Sequence, residues 1–182
     1  MLVAVDVHYE DRAVVTACVG FASWQAPTTA LEWVHRDASA PAPYEPGQFY
    51  KRELPHVLRA IAEIGGRHPL DAVVVDAHVW LDAGKPGLGG HLHAALGGGI
   101  AVVGVAKTAY KGGVALAITR GQSRSPLFVT AAGVPAARAA ELVRTMHGPF
   151  RLPDLLKRVD QLARGSARPD PAKPLGQASN PD

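Results

Sequence analysis

The sequence holds a single cysteine, Cys18, among its 182 residues, which excludes a disulfide framework and any cysteine-rich zinc site. No apolar run approaches the ~20 residues that a membrane-spanning helix requires. Met1 leads directly into the apolar stretch Leu2–Val7 without a basic segment, so no signal peptide is predicted and a cytoplasmic location is expected, with no membrane partner. A strong charge bias is also missing: 19 Lys and Arg stand against 16 Asp and Glu, for a net charge of +3. That balance permits an anionic partner but is far from a polycation. Internal repeats are absent. Gly97-Gly98-Gly99 lacks a following Gly-Lys-Ser/Thr, so it does not read as a phosphate loop. His91 and His93, two residues apart in a helix-like segment, point to different faces and do not make a zinc pair; His91 reads as a helix-packing residue.

What is present is enough apolar material for a core, 47% of residues, in a length suited to one domain. Leu2–Val7 and Ala13–Phe21 flank the polar Glu10-Asp11-Arg12 and read as a hairpin, with Thr29–His35 as a third strand. Ala38–Gly47 carries Pro41, Pro43 and Pro46 and reads as a loop. Leu54, Val57, Leu58, Ile61 and Ile64 recur at helical spacing until Gly65-Gly66. Strands are predicted at Ala72–Val75 and Ile100–Val105, and a short helix at Gly87–Leu96. A late hairpin is predicted from Val114–Thr119 and Leu127–Thr130, and helices at Pro135–Met146 and Pro153–Ala163. This order predicts an α/β fold with a mixed sheet of about five strands and helices on both faces. The domain is expected to span residues 1–164. Residues 165–182, with four prolines and no periodicity, are expected to be a disordered tail.

Two carboxylates stand in apolar company. Asp6 lies within Val3-Ala4-Val5-Asp6-Val7, and Asp76 ends Val73-Val74-Val75-Asp76. A carboxylate in a central strand is costly to desolvate unless it is paired, caps a strand end or binds a metal. Glu53, near the start of the first long helix, is placed where the helix dipole favours an acid, and Asp160 alone is an ordinary helix-surface acid. Together the four could converge, and oxygen ligands of this kind favour Mg²⁺ or Mn²⁺.

Several blocks, in order along the chain, resemble the endonuclease V family of deoxyinosine 3′-endonucleases. They are Val5-Asp6-Val7-His8-Tyr9, the stretch from Tyr44-Glu45-Pro46-Gly47 to Arg52-Glu53-Leu54-Pro55, Val75-Asp76-Ala77-His78, Gly87-Leu88-Gly89-Gly90-His91-Leu92, Gly104-Val105-Ala106-Lys107 and Arg151-Leu152-Pro153. The resemblance implies a ribonuclease-H-like fold and a metal-dependent endonuclease that cuts DNA or RNA 3′ to inosine. It implies that Asp6, Asp76 and Glu53 hold the metal, that Asp160 is a fourth acid and that Lys107 sits near the scissile phosphate. Tyr44, with Pro43 and Pro46, would fill the gap left by a flipped-out base. Ala77 and His78 would help form the base pocket, and Lys85 would keep one positive charge on the substrate surface.

The chain also departs from the family pattern. Ala77 stands where the family has glycine, Lys51 where it has phenylalanine, Val134 where a histidine is common, and Asp82 and Gly84 where it has His and Arg. These changes predict weak inosine cleavage. A nucleic-acid-binding relative that does not cut inosine strands is the competing reading, and a nuclease for a flap or mismatch is a third. Lys85, Lys107, Lys111, Arg120 and Arg124 are candidates for a phosphate-facing patch. Trp24, Trp33 and Trp80 read as structural, with Trp80, in the altered stretch, also a candidate substrate contact, and a monomer is expected.

Overall fold

Nine-residue runs of apolar and β-branched residues on either side of Asp11-Arg12 form the first two strands, β1 (Leu2–Glu10) and β2 (Ala13–Phe21), which pair antiparallel. The computed structural model describes residues 1–38 and 48–168. The remaining elements are β3 (Leu31–Asp37), α1 (Phe49–Gly65), β4 (Ala72–Val75), β5 (Trp80–Asp82), β6 (Lys85–Pro86) and α2 (Leu88–Ala95). They are followed by β7 (Ala101–Ala106), β8 (Leu116–Ile118), β9 (Leu127–Ala132), α3 (Ala136–Arg144) and α4 (Asp154–Ala163).

The main sheet has seven strands in the order β3-β2-β1-β4-β7-β9-β8. The expected mixed α/β architecture is therefore observed, with a larger sheet than the five strands anticipated. The late hairpin, β8 and β9, extends the sheet by pairing β9 antiparallel to β7. The central strands β1, β4 and β7 run parallel. A separate ribbon, β5–β6, falls in the segment that departs from the family pattern.

Two-residue alternation divides the strand side chains between two cores. Leu2 and Ala4 of β1, Ala72 and Val74 of β4, and Val103 and Val105 of β7 pack with Val143, Leu155, Val159 and Leu162 of α3 and α4. Val3, Val5, Val73, Val75 and Val102 pack with Val57, Ile61, Ile64 and Leu92 of α1 and α2. Helices thus cover both faces. The expected domain boundary at residue 164 falls just after α4, but the described chain continues against the domain. The Ser166 hydroxyl donates to the Gln161 carbonyl at 3.1 Å, and Arg158 Nη2 donates to the Arg168 carbonyl at 2.8 Å. Residues 169–182 lie outside the described residues.

Gly104, in the middle of β7, marks a close approach. A Cβ built there would lie 2.3 Å from the Ala77 carbonyl oxygen, 2.8 Å from the Val79 nitrogen and 2.9 Å from Thr130 Oγ1. That crowding surrounds a buried hydrogen bond in which Val79 N–H donates to Thr130 Oγ1 at 2.7 Å. Gly104→Ala is expected to cost about 2 kcal/mol, within the range for overpacking a filled core. Thermal denaturation reads it directly. An unchanged Tm would show that the β4–β5 connection yields freely.

Candidate active site

Parallel register explains how two acids 70 residues apart meet. Val5 of β1 pairs with Val75 of β4, so the following residues, Asp6 within β1 and Asp76 just past the end of β4, stand side by side. Strands sit about 4.8 Å apart, so the two carboxylates are unavoidable neighbours. Asp6 stays within β1, where Val7 N–H donates to Asp6 Oδ1 at 3.0 Å. Glu53 reaches the same place from α1. The helix begins at Phe49, four residues earlier, so Glu53 lies beyond the first turn and the helix dipole is not what places it. It is buried, 9% exposed. Asp6, Glu53 and Asp76 line one cleft of about 190 Å³ together with Val57, Leu88 and Arg164.

Crowding of like charges marks the site electrically. Burial, with repulsion from Asp76 and Asp160, raises the Asp6 carboxyl to about 6. Burial, with repulsion from Asp6 and Asp76, raises Glu53 to about 8. Lys107 answers these charges from the end of β7. Its Nζ donates to Asp76 Oδ2 at 2.7 Å and lies 3.5 Å from Asp160 Oδ1. Burial works to lower the Lys107 ammonium, but the Asp76 hydrogen bond and the nearby acids hold it above its usual value. Arg164 Nε sits 3.2 Å from Asp160 Oδ1, one helical turn away. Among the described residues, no group of three His, Cys, Asp or Glu side chains is arranged to hold a metal ion.

Beside the acids lies a second cavity of about 520 Å³. Asp76 and Lys107 border it, and Ala77, His78, Lys85, Tyr50 and His91 are among its lining. His78 Nε2 donates to the Thr108 carbonyl at 3.0 Å, while its Nδ1 is buried without a protein partner among the described residues. Lys85 Nζ donates to the Tyr110 hydroxyl at 3.5 Å. In the β5–β6 ribbon, Asp82 is the cross-strand partner of Lys85.

The structure thus gathers Asp6, Glu53, Asp76, Asp160 and Lys107 at one end of the sheet, and Ala77, His78 and Lys85 around the adjoining cavity. Tyr44, Pro43 and Pro46 lie outside the described residues. One expected phosphate contact is corrected. Arg120 is buried, and its guanidinium donates to the carbonyls of Arg144, Met146, Gly148, Phe150 and Arg151. Its donors are spent on the α3–α4 connection, so it does not face a phosphate. Trp80 is structural, as expected, donating from Nε1 to the Ala131 carbonyl at 2.9 Å.

Three residues were given no role in the sequence reading. Arg164 lines the acid cleft; its spacing of four from Asp160 on a helix was the available signal. Arg151 donates through Nη2 to the Lys107 carbonyl and to the Pro126 carbonyl, the latter at 2.7 Å, which fixes the backbone that carries Lys107. Tyr50 stacks on His91 with ring centroids 3.6 Å apart and planes 13° from parallel. Nothing in its local sequence announced that pairing.

Among solved structures, the catalytic domain of human endonuclease V superposes with a TM-score of 0.75 at 19% identity, over 91% of this chain and 81% of that one. Endonuclease V from Streptomyces avermitilis gives 0.68 at 23% identity, over 91% and 80%. Ciona intestinalis endonuclease V, solved with a 24mer DNA containing an inosine followed by a ribo-adenosine, gives 0.73 at 16% identity, over 91% and 84%. These likenesses establish the ribonuclease-H-like fold. No curated protein matches the chain. The sequence profile described as Endonuclease V matches residues 1–146, which carry Asp6, Glu53, Asp76 and Lys107 on the framework described above, and the chain belongs to the endonuclease V family of nucleases.

Proposed function

We propose that this protein is a divalent-cation-dependent endonuclease that hydrolyses the phosphodiester bond 3′ to inosine or deoxyinosine in nucleic acid. The observation that carries this reading is the meeting of Asp6, Glu53 and Asp76 in one cleft, with Lys107 against Asp76 and Asp160, beside a cavity large enough to admit a base. Asp6, Asp76 and Glu53 would hold Mg²⁺ or Mn²⁺. The donor chemistry suits such an ion, although the three carboxylates are not already drawn together around a cation position: all are hard oxygens, and burial with repulsion leaves Asp6 and Glu53 poorly stabilised as anions until a cation joins them. When bound, the ion would supply positive charge to the phosphate and acidify a water for hydrolysis of the phosphodiester bond, the 3′ oxygen being the leaving group.

The protein's own groups do the positioning. Lys107 is already ionised and half-exposed, and turning from Asp76 would bring its ammonium to the scissile phosphate. Arg151 holds the Lys107 carbonyl. Asp160, paired with Arg164, closes the acid cluster from α4. The everted base would enter the cavity past Ala77 and His78, with Lys85 against the strand and Tyr44, Pro43 and Pro46 filling the gap in the stack. The inosine-DNA complex of the Ciona relative supports this choice of base.

Incubation with inosine-containing single-stranded DNA and RNA, with Mg²⁺, Mn²⁺ or chelator, tests the proposal. Cleavage 3′ to inosine, dependent on the cation, is expected, and the two substrates decide between DNA and RNA. Selective binding without cleavage would establish the non-cutting relative instead, and indifference to inosine would overturn the proposal.

The altered ribbon yields a further expectation. Ala77 adds a methyl beside the pocket, and Asp82 places a negative charge next to Lys85. Ala77→Gly combined with Asp82→His is expected to raise inosine cleavage several-fold. The unaltered protein should also show a shallow dependence of binding on salt, because few phosphate contacts release few counterions. Robust cleavage by the unaltered protein, with no gain from the double substitution, would show that the ribbon does not limit it.

A further inference from the structure

We propose that Tyr50, backed by His91, is the stacking wall of the cavity and supplies much of the affinity for a purine base turned out of its strand. This rests on the function proposed above and adds a residue that the family resemblance does not assign. Tyr50 stands in the first turn of α1, the helix that carries Glu53, and His91 stands on α2. Their rings lie nearly parallel, 3.6 Å between centroids and 13° between planes, and both residues line the cavity that Asp76 and Lys107 border.

Two rings already stacked form a rigid flat surface without further ordering, so a planar base can extend the stack at little entropic cost. Stacking engages the face of a base, whereas its edge is left to polar groups. The wall therefore contributes affinity for any purine that enters, and discrimination among purines falls to the remaining lining. Each helix contributes one ring, so the stack also ties the helix bearing Glu53 to the pocket. A purely structural role would act on the fold and would not depend on what fills the cavity.

Equilibrium binding with Ca²⁺ replacing Mg²⁺, to hold the strand uncut, distinguishes these roles. The probes are a single-stranded DNA containing one deoxyinosine and the same strand with an abasic site at that position. Base–aromatic stacking contributes about 1–3 kcal/mol per base, so Tyr50→Ala is expected to raise Kd for the inosine strand roughly tenfold. Tyr50→Phe, which keeps the ring, should stay within about twofold of the unaltered protein. The abasic strand should be bound equally by all three proteins. Quenching of 2-aminopurine placed at the inosine position should be smaller in Tyr50→Ala than in the unaltered protein.

Equal weakening on both strands would overturn the proposal in favour of a structural role. Full retention of inosine affinity in Tyr50→Ala would overturn it while leaving the proposed function standing. Failure of the unaltered protein to prefer the inosine strand would remove the proposed function, and this inference with it.

Discussion

Asp76→Asn is expected to abolish strand cleavage, with a loss of at least ~10³-fold in single-turnover rate, equivalent to about 4 kcal/mol of barrier, while the fold survives. The amide keeps the shape of the carboxylate but carries no charge for a hard cation and offers one oxygen instead of two. Its neighbours then lose their anchor. Lys107, 2.7 Å from Asp76 Oδ2, is left with Asp160 at 3.5 Å as its remaining acid within ion-pair distance. Stability should change little, because the Asp76 side chain is 35% exposed and partly exposed ion pairs contribute about 0–1 kcal/mol. Removing one of several crowded negative charges also relieves Asp6 and Glu53, both of which Asp76 repels. Single-turnover cleavage of an inosine-containing strand with Mg²⁺, paired with thermal denaturation, separates the two effects. A variant that still cuts within tenfold of the unaltered protein would remove Asp76 from the cation site.

The legible parts of this site were those where local sequence contradicts local environment. Asp6 and Asp76 stood out because valines surround them, and the shared register of β1 and β4 then made them neighbours. The long first helix was equally legible from its apolar spacing. Glu53 was named through the family resemblance; its physical placement was misjudged, because the helix start at Phe49 is not marked by a strong capping residue. The size of the sheet was underread for a different reason. Both strands of the late hairpin were legible, but nothing in their local sequence says that β9 pairs with β7 and so adds the hairpin to the main sheet. Arg120 illustrates the opposite failure. Nearby basic residues gave it the look of a phosphate contact, yet the carbonyls it binds span Arg144 to Arg151 and come together only in the folded chain. Arg151 and Tyr50 are the same kind of case, since each acts through a partner more than 20 residues away.

Without divalent cation, the protein should lose stability as pH rises from about 4 to 8. Asp6 and Glu53 have native carboxyls raised to about 6 and about 8, from ordinary values of 3.8 and 4.5. Between the ordinary and native values, the folded state binds more protons than the unfolded chain, so stability falls with increasing pH. The favourable contribution is complete below about 4, where both groups are protonated in either state. It is lost as pH climbs through 6 for Asp6 and through 8 for Glu53. The two groups repel each other and titrate as a pair, so the combined effect is of the order of 3 kcal/mol, with a Tm decrease of roughly 10 °C in this size class. Other titrating groups add their own slopes, and Glu53→Gln isolates this one. The variant keeps a neutral side chain at all pH values, so its Tm should fall less steeply than that of the unaltered protein between pH 5 and 8. Added Mg²⁺ or Mn²⁺ should reverse the loss most strongly at the alkaline end, where the ion no longer competes with protons for the same oxygens. Denaturation scans at several pH values, with chelator and with each cation, read both effects. Parallel Tm profiles for Glu53→Gln and the unaltered protein, unmoved by either cation, would show that Glu53 titrates in the folded protein as it does in the unfolded chain and takes no part in binding the ion.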